Sequence, residues 1–285
     1  MQILTTGPTE RRLVLDGIEL AADEYAAGTD PKGTALLLHG GGQTRHSWKG
    51  AAAAIAANGW HTLSLDARGH GDSGWAPDGD YSMQALVDDL TQVAREYRRP
   101  VLIGASMGGL TSLVAVGEGA VTARGLVLVD VAPRIEKSGA DRIGAFMRAN
   151  PEGFESLQAV ADAVAAYNPH RARPPRPEGL RKNVRLREDG RWHWHWDPAF
   201  IQPVDDEPGR LVDPERLREA AQAVRVPTLL VRGVQSDVLS EKGASEFLQL
   251  VPEARFVDVK GAGHMVAGDD NDMFAREVGR FLDAL

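Results

Sequence analysis

A serine, a histidine and two aspartates stand in this chain where they could carry out nucleophilic attack on a carbonyl carbon. Ser106 lies in Gly104-Ala105-Ser106-Met107-Gly108, directly after the apolar run Val101-Leu102-Ile103. Glycine two residues either side of a serine that follows a buried strand marks a strand-to-helix turn too tight for larger flanking side chains. Such a turn lifts the hydroxyl alone above the sheet edge. A free hydroxyl is a poor nucleophile at neutral pH and needs an adjacent base. His264, in Gly261-Ala262-Gly263-His264-Met265 after the strand-like segment 255–259, is assigned that role. A carboxylate must then hold the other ring nitrogen, fixing the tautomer and stabilising the transient imidazolium. Asp237, beyond the strand-like segment 228–233, gives the order Ser, Asp, His, while Asp130 at the end of the sixth strand-like segment competes for the same task. His39-Gly40-Gly41-Gly42 follows the apolar segment 34–38 and would leave backbone N–H groups facing a ligand, a candidate oxyanion hole.

The elements that must position these residues are legible in outline. Strand-like segments near 13–15, 20–25, 34–39, 61–66, 101–104 and 125–130 alternate with helical stretches, among them 48–58 and 83–97. Asp16-Gly17 between the first two reads as a hairpin turn. The alternation predicts an α/β fold with a mostly parallel sheet covered on both faces. The pattern breaks after Pro133 and resumes near Pro227, so residues 134–221 are expected to form an inserted, mainly helical cap with helices near 141–149 and 154–167. Residues 1–133 and 222–285 would then form the two parts of one core.

The chain of 285 residues is 43% hydrophobic and 25% charged, enough to bury the core of one such domain with an insertion. Its net charge of −8 argues against a nucleic-acid partner, and the absence of cysteine excludes thiolate chemistry and a disulfide framework. No apolar run reaches the roughly 18 residues of a membrane span, and the first residues lack the pattern of a signal peptide. A cytoplasmic enzyme without a cofactor or metal is expected, acting on a small molecule as a monomer or homodimer, with neither membrane nor nucleic acid as partner.

Taken together, the elbow, HGGGQTRHSW (39–48), DARGHGDS (66–73), LVLVDVAP (126–133), RGVQSDVLS (232–240) and GAGHMV (261–266) resemble the α/β-hydrolase superfamily over essentially the whole chain. The resemblance is to its cap-bearing branch of esterases, lactonases, carbon–carbon bond hydrolases, cofactor-free perhydrolases and epoxide hydrolases. It implies an eight-stranded sheet, a Ser106–His264–Asp237 triad, with Asp237 preferred to Asp130 because its setting is the commoner one, and oxyanion donors from Gly41 and Met107. It also implies that Asp66, Arg68 and His70 brace the floor of the site. Aspartate nucleophiles of the epoxide-hydrolase and dehalogenase kind are excluded by Ser106. Met265 stands where carbon–carbon hydrolases carry an aromatic residue, and Gly41 where perhydrolases do. A serine hydrolase of small to medium carboxylic esters with an apolar or aromatic part is therefore expected, a carboxylesterase in kind. The alternatives are a lactonase, a carbon–carbon hydrolase or a perhydrolase on the same triad, or a slow-turnover binding member of the fold.

Within the cap, Arg191-Trp192-His193-Trp194-His195-Trp196-Asp197 would put its tryptophans on one face and its histidines on the other if extended. Trp192, Trp194 and Trp196 either pack as cap interior or, with Gly42, line the substrate pocket. A metal on His193 and His195 lacks further ligands nearby. The basic, proline-rich segment 168–177 reads as a connector, or through Arg171 and Arg173 as a patch for a substrate carboxylate. Asp269-Asp270-Asn271-Asp272 reads as the cap of the last helix rather than a calcium site. His39 is expected to shape its loop, and His46, His61 and His70 to be structural or exposed.

Overall fold

The computed structural model describes residues 7–167, 177–201, 213–264 and 272–285. Its strands are β1 (Thr9–Leu15), β2 (Ile18–Tyr25), β3 (Thr34–Leu38), β4 (His61–Leu65), β5 (Val101–Ala105), β6 (Gly125–Val129), β7 (Val184–Leu186), β8 (Trp192–Trp194), β9 (Thr228–Gly233) and β10 (Arg255–Val259). The helices are α1 (Lys49–Ala57), α2 (Met83–Ala94), α3 (Met107–Gly117), α4 (Lys137–Arg148), α5 (Leu157–Tyr167), α6 (Pro214–Ala223), α7 (Glu241–Leu250) and α8 (Asp272–Asp283).

Eight strands form one sheet in the order β1-β2-β4-β3-β5-β6-β9-β10. β1 and β2 pair as the expected hairpin, with Gly17 at φ +81° in its turn, and β2 also runs antiparallel to β4. Every other pair in the sheet is parallel. The central strands are short apolar runs buried on both faces, and their period of two sorts the side chains into two cores. Leu36, Leu102, Leu126, Leu128 and Leu230 point into one, with α2, α3, α6 and α7. Leu37, Ile103, Val127, Val129 and Val231 point into the other, with α1 and α8.

This topology already locates a site. β3 is followed by α1 on one face of the sheet and β5 by α3 on the other, while β3 and β5 are neighbours. Loops leaving adjacent parallel strands in opposite directions open a crevice at the strands' carboxyl ends, which is where open α/β sheets bind ligands. The loops after β3, β5, β6, β9 and β10 all emerge at that edge.

Between β6 and α6 the chain leaves the sheet and builds a third apolar cluster from Met147, Phe154, Val160, Trp194, Trp196 and their neighbours. This inserted segment is not only helical: β7 and β8 form an antiparallel hairpin, pairing Val184 with Trp194, because the alternation around Trp192 has the period of a strand. Its expected end at residue 221 falls inside α6, which belongs to the core. There Gly117 of α3 lies so close to the α6 backbone that a Cβ would sit 2.3 Å from the Ala220 oxygen. Arg171, Arg173 and residues 269–271 lie outside the described residues. Among the described residues no helix is long and apolar enough to cross a membrane.

Candidate active site

Ser106 occupies the junction of β5 and α3 with φ 47° and ψ −117°, a conformation that costs a non-glycine residue on the order of 1–3 kcal/mol. The chain accommodates the turn because the residues two positions to either side are glycine for steric reasons. A Cβ on Gly104 would meet the Gly108 oxygen at 2.3 Å, and one on Gly108 would meet the Leu38 oxygen at 2.5 Å. The Ser106 amide donates to the Val129 carbonyl at 3.1 Å and its carbonyl accepts the Leu110 amide at 2.9 Å, so both sides of the turn are tied down.

The loop after β3 is laid against this turn. Gly108 N–H donates to the His39 carbonyl at 3.1 Å, and a Cβ on Gly40 would stand 3.2 Å from the Cβ of Ser106. Within the loop the Gly40 N–H donates to Gln43 Oε1, Gly42 N–H to His70 Nε2, and the Gln43 N–H to the Gly40 carbonyl. Among the described residues the Gly41 N–H has no intramolecular partner, and neither has the Met107 N–H at the start of α3. Two unengaged amides beside a nucleophile-bearing turn, one of them at a helix N-terminus, are suited to stabilising negative charge.

The histidine is where the sequence put it, but its carboxylate partner is not. His264 Nδ1 lies 2.7 Å from Asp130 Oδ2, with the His264 side chain 8% exposed and that of Asp130 fully buried. Asp130 sits one residue past β6 at φ 53°, a left-handed turn that aspartate adopts more readily than most residues. Its carboxylate also accepts the Gly233 amide at 2.8 Å and the Ser236 hydroxyl. Asp237, the expected partner, is engaged elsewhere. Arg142 of α4 grips it through Nε at 2.6 Å and Nη2 at 2.9 Å, and stacks over the Tyr167 ring. That hydrogen-bonded guanidinium holds the Asp237 carboxyl below the usual carboxylate range. Gly139 of α4 packs against the Asp237 carbonyl, so the inserted segment rather than His264 claims this loop. Ser236 was passed over in the sequence; a serine beside a candidate acid carries no signal of which carboxylate it will bond.

Asp66 is buried and accepts the amides of Arg45 and Asp72 and the Arg45 guanidinium, while Arg68 forms a two-bond ion pair with Asp89. Both brace the turn 66–73, in keeping with their expected part in the floor of the site. His39 shapes its own loop as expected, donating from Nδ1 to the Gly40 carbonyl and accepting the Ala67 amide at Nε2. His46 and His61 pair with Asp23 and Glu24 away from Ser106.

The tryptophans take interior positions. Trp194 and Trp196 stack at 4.8 Å and are buried in the third cluster, while Trp192 lies under Arg181. The side chains that come down onto Gly41 and Gly42 are Met147 and Phe200, which the sequence did not single out. His193 pairs with Asp189 and His195 with two backbone groups, so neither ring is presented to a common ligand.

The comparisons with known proteins agree with this architecture. The profile of the alpha/beta hydrolase family matches residues 35–277. An esterase of Mycobacterium tuberculosis is 33% identical over 82% of this chain and 77% of its own length. N-formylmaleamate deformylase of Pseudomonas putida is 30% identical over 88% of this chain and 90% of its own. A solved structure of the M. tuberculosis esterase superposes with a TM-score of 0.77, at 29% identity, covering 98% of this chain and 93% of that one. With the family profile spanning the sheet from β3 into α8 and the turn at Ser106 built on the glycines it requires, the chain belongs to the alpha/beta hydrolase family.

Proposed function

We propose that this protein is a serine hydrolase of carboxylic esters that works through an acyl-enzyme. The observation that carries the reading is the buried Asp130 carboxylate on His264 Nδ1, at the same sheet edge as the strained turn that holds Ser106. In this reading His264 takes the Ser106 proton through Nε2 as the hydroxyl attacks the ester carbonyl, and returns it to the leaving alcohol. Asp130 keeps the imidazole in the Nδ1–H tautomer and stabilises the imidazolium. The oxyanion sits between the Gly41 and Met107 amides, and removal of one such donor typically costs about 3 kcal/mol in the barrier. Water then cleaves the acyl-enzyme with His264 again as base.

The inserted segment acts as a cap. Met147 and Phe200 give the acyl or alcohol group an apolar wall next to the oxyanion loop, backed by the buried Trp194 and Trp196. A small to medium ester with an apolar or aromatic part fits such a wall. The names of the relatives support ester or amide bond cleavage as the reaction class. Rapid mixing with excess p-nitrophenyl butyrate is expected to give a nitrophenolate burst of one equivalent per protein chain when deacylation is the slower step, and the burst should vanish in Ser106→Ala. Turnover that survives this substitution would overturn the reading.

A further inference from the structure

Three buried histidines that take no part in the proposed proton transfers form a chain from the oxyanion loop to the cap. The ring centroids of His39 and His70 are 5.2 Å apart and those of His70 and His195 5.9 Å. Each ring accepts one backbone N–H and donates one N–H to a backbone carbonyl. For His70 the partners are the Gly42 amide at 3.1 Å, accepted by Nε2, and the Arg68 carbonyl at 3.0 Å, reached by Nδ1–H. For His195 they are the Gly71 amide at 2.8 Å, accepted by Nδ1, and the Gly42 carbonyl at 3.3 Å, reached by Nε2–H. Gly42, at φ +72°, therefore has its N–H held by a core histidine and its carbonyl held by a histidine that the cap supplies.

We propose that His195 is a positioning residue for catalysis: its Nε2–H fixes the Gly42 carbonyl and with it the Gln43 N–H of the same peptide, whose bond to the Gly40 carbonyl holds the peptide that carries the Gly41 N–H in line with the oxyanion. The inference rests on the esterase reading above. Gly42 has no side chain to restrain it, and only Gly40, Gly41 and Gln43 surround it in the loop. His70 pins the peptide before Gly42; the peptide after it is tied at its N–H end, by Gln43 to the Gly40 carbonyl, and His195 ties its carbonyl end. With both rings engaged, the two peptides flanking Gly42 are fixed, and the Gly41 amide has no partner among the described residues and faces the substrate's place. Hydrogen-bond donors stabilise an oxyanion only when aimed before the charge develops.

The two ring nitrogens can be tested separately. Glutamine at 195 can place its amide N–H near the Nε2 position and keep the bond to Gly42, whereas asparagine can place its oxygen near the Nδ1 position and keep only the bond to Gly71. Steady-state kinetics on p-nitrophenyl butyrate are expected to give His195→Gln a kcat at least about tenfold above that of His195→Asn, with KM differing by less than about threefold, the pattern of an interaction made in the transition state. Arg185→Ala is the control. It removes a neighbouring cap tether, from Nη2 to the Gly71 carbonyl at 2.8 Å, without touching Gly42. Equal kcat for the two His195 variants, or an Arg185→Ala kcat as low as that of His195→Asn, would overturn the proposal in favour of simple cap anchoring. If a His195 variant does not fold, the ¹⁵N spectrum of histidine-labelled wild-type protein decides: a proton on His195 Nε2 supports the proposal and a proton on Nδ1 overturns it. Wild-type protein without ester turnover contradicts the esterase reading instead, which keeps the two failures distinct.

Discussion

Asp130→Asn is expected to lower kcat for ester hydrolysis by on the order of 10⁴, the size of effect seen when the orienting carboxylate of a serine–histidine pair becomes an amide. The local geometry explains why. Oδ1 of Asp130 accepts the Gly233 amide, so an asparagine would keep its oxygen there and turn its NH₂ toward Ser236 and His264. An amide donor facing Nδ1 forces the proton onto Nε2, and the ring can no longer accept one from Ser106. Asp237→Asn should behave differently. Its ion pair with Arg142 is 39% exposed on each side, and pairs of that kind are worth about 0–1 kcal/mol. The expected result is a rate within about tenfold of wild type and a small loss of stability through looser seating of α4. Parallel kinetics and thermal melts on the two variants check this, and the reverse order of effects would return the acid's role to Asp237.

Mild acid is expected to destabilise the folded protein well before its carboxylates titrate. Burial is the main force pushing the pKa down for each of three histidines: His70 to about 3, His195 well below its ordinary value, and His39 in the same direction. The hydrogen bonds that the rings accept act in the same sense, because protonation would set a second ring N–H against a backbone N–H, while the bonds donated to the Gly40, Arg68 and Gly42 carbonyls act in the opposite one. Unfolded histidine titrates near 6.5, so below that pH the unfolded chain binds protons that the native state refuses. Stability from these residues is therefore complete above about 6.5 and is lost as pH falls toward the native values. Between pH 7.5 and 5.5 a histidine that stays neutral in the folded state, as His70 does with its pKa pushed down to about 3, costs about 1.4 kcal/mol, and His195 and His39 add to the loss in the same direction. Against the roughly 5–15 kcal/mol typical of a folded domain, such a loss is measurable. The depressed carboxylates Asp23, Asp72 and Asp237 also lose their contribution as pH falls, but below about pH 5, outside this window. Urea unfolding at the two pH values measures the difference, and a free energy that is flat from 7.5 to 5.5 would contradict the neutral histidine chain.

The parts of this site that sequence reveals are those governed by local sterics. Gly104 and Gly108 must be glycine wherever a serine turn is this tight, so the elbow announces itself, and the apolar runs of β3, β5, β6 and β9 read directly as strands buried on both faces. Ser106 follows from the same logic and His264 from its loop beyond β10, whereas Gly41 and Met107 were indicated by the family resemblance. Choosing between Asp130 and Asp237 was beyond that logic. Both follow a strand, and what separates them is Arg142, a residue far away in the chain that arrives on α4 and takes one carboxylate for itself. His195 was equally hidden. A neutral histidine bonded to two peptides has no pattern of spacing, and within the alternating tryptophans it reads as a metal candidate or as filler. The alternation did carry real information: it placed Trp194 and Trp196 together in the apolar cluster and His195 on the opposite side, toward Gly42 and Gly71.

The central claim is that Ser106 is an activated nucleophile, and covalent capture tests it most directly. Wild-type protein and Ser106→Ala would be exposed to a fluorophosphonate and weighed intact, with the modified residue located by peptide mapping. The account predicts one adduct per wild-type chain, on Ser106, formed within minutes and absent from the variant. Folded wild-type protein that takes up no phosphonate, or takes it up equally after the substitution, would contradict it.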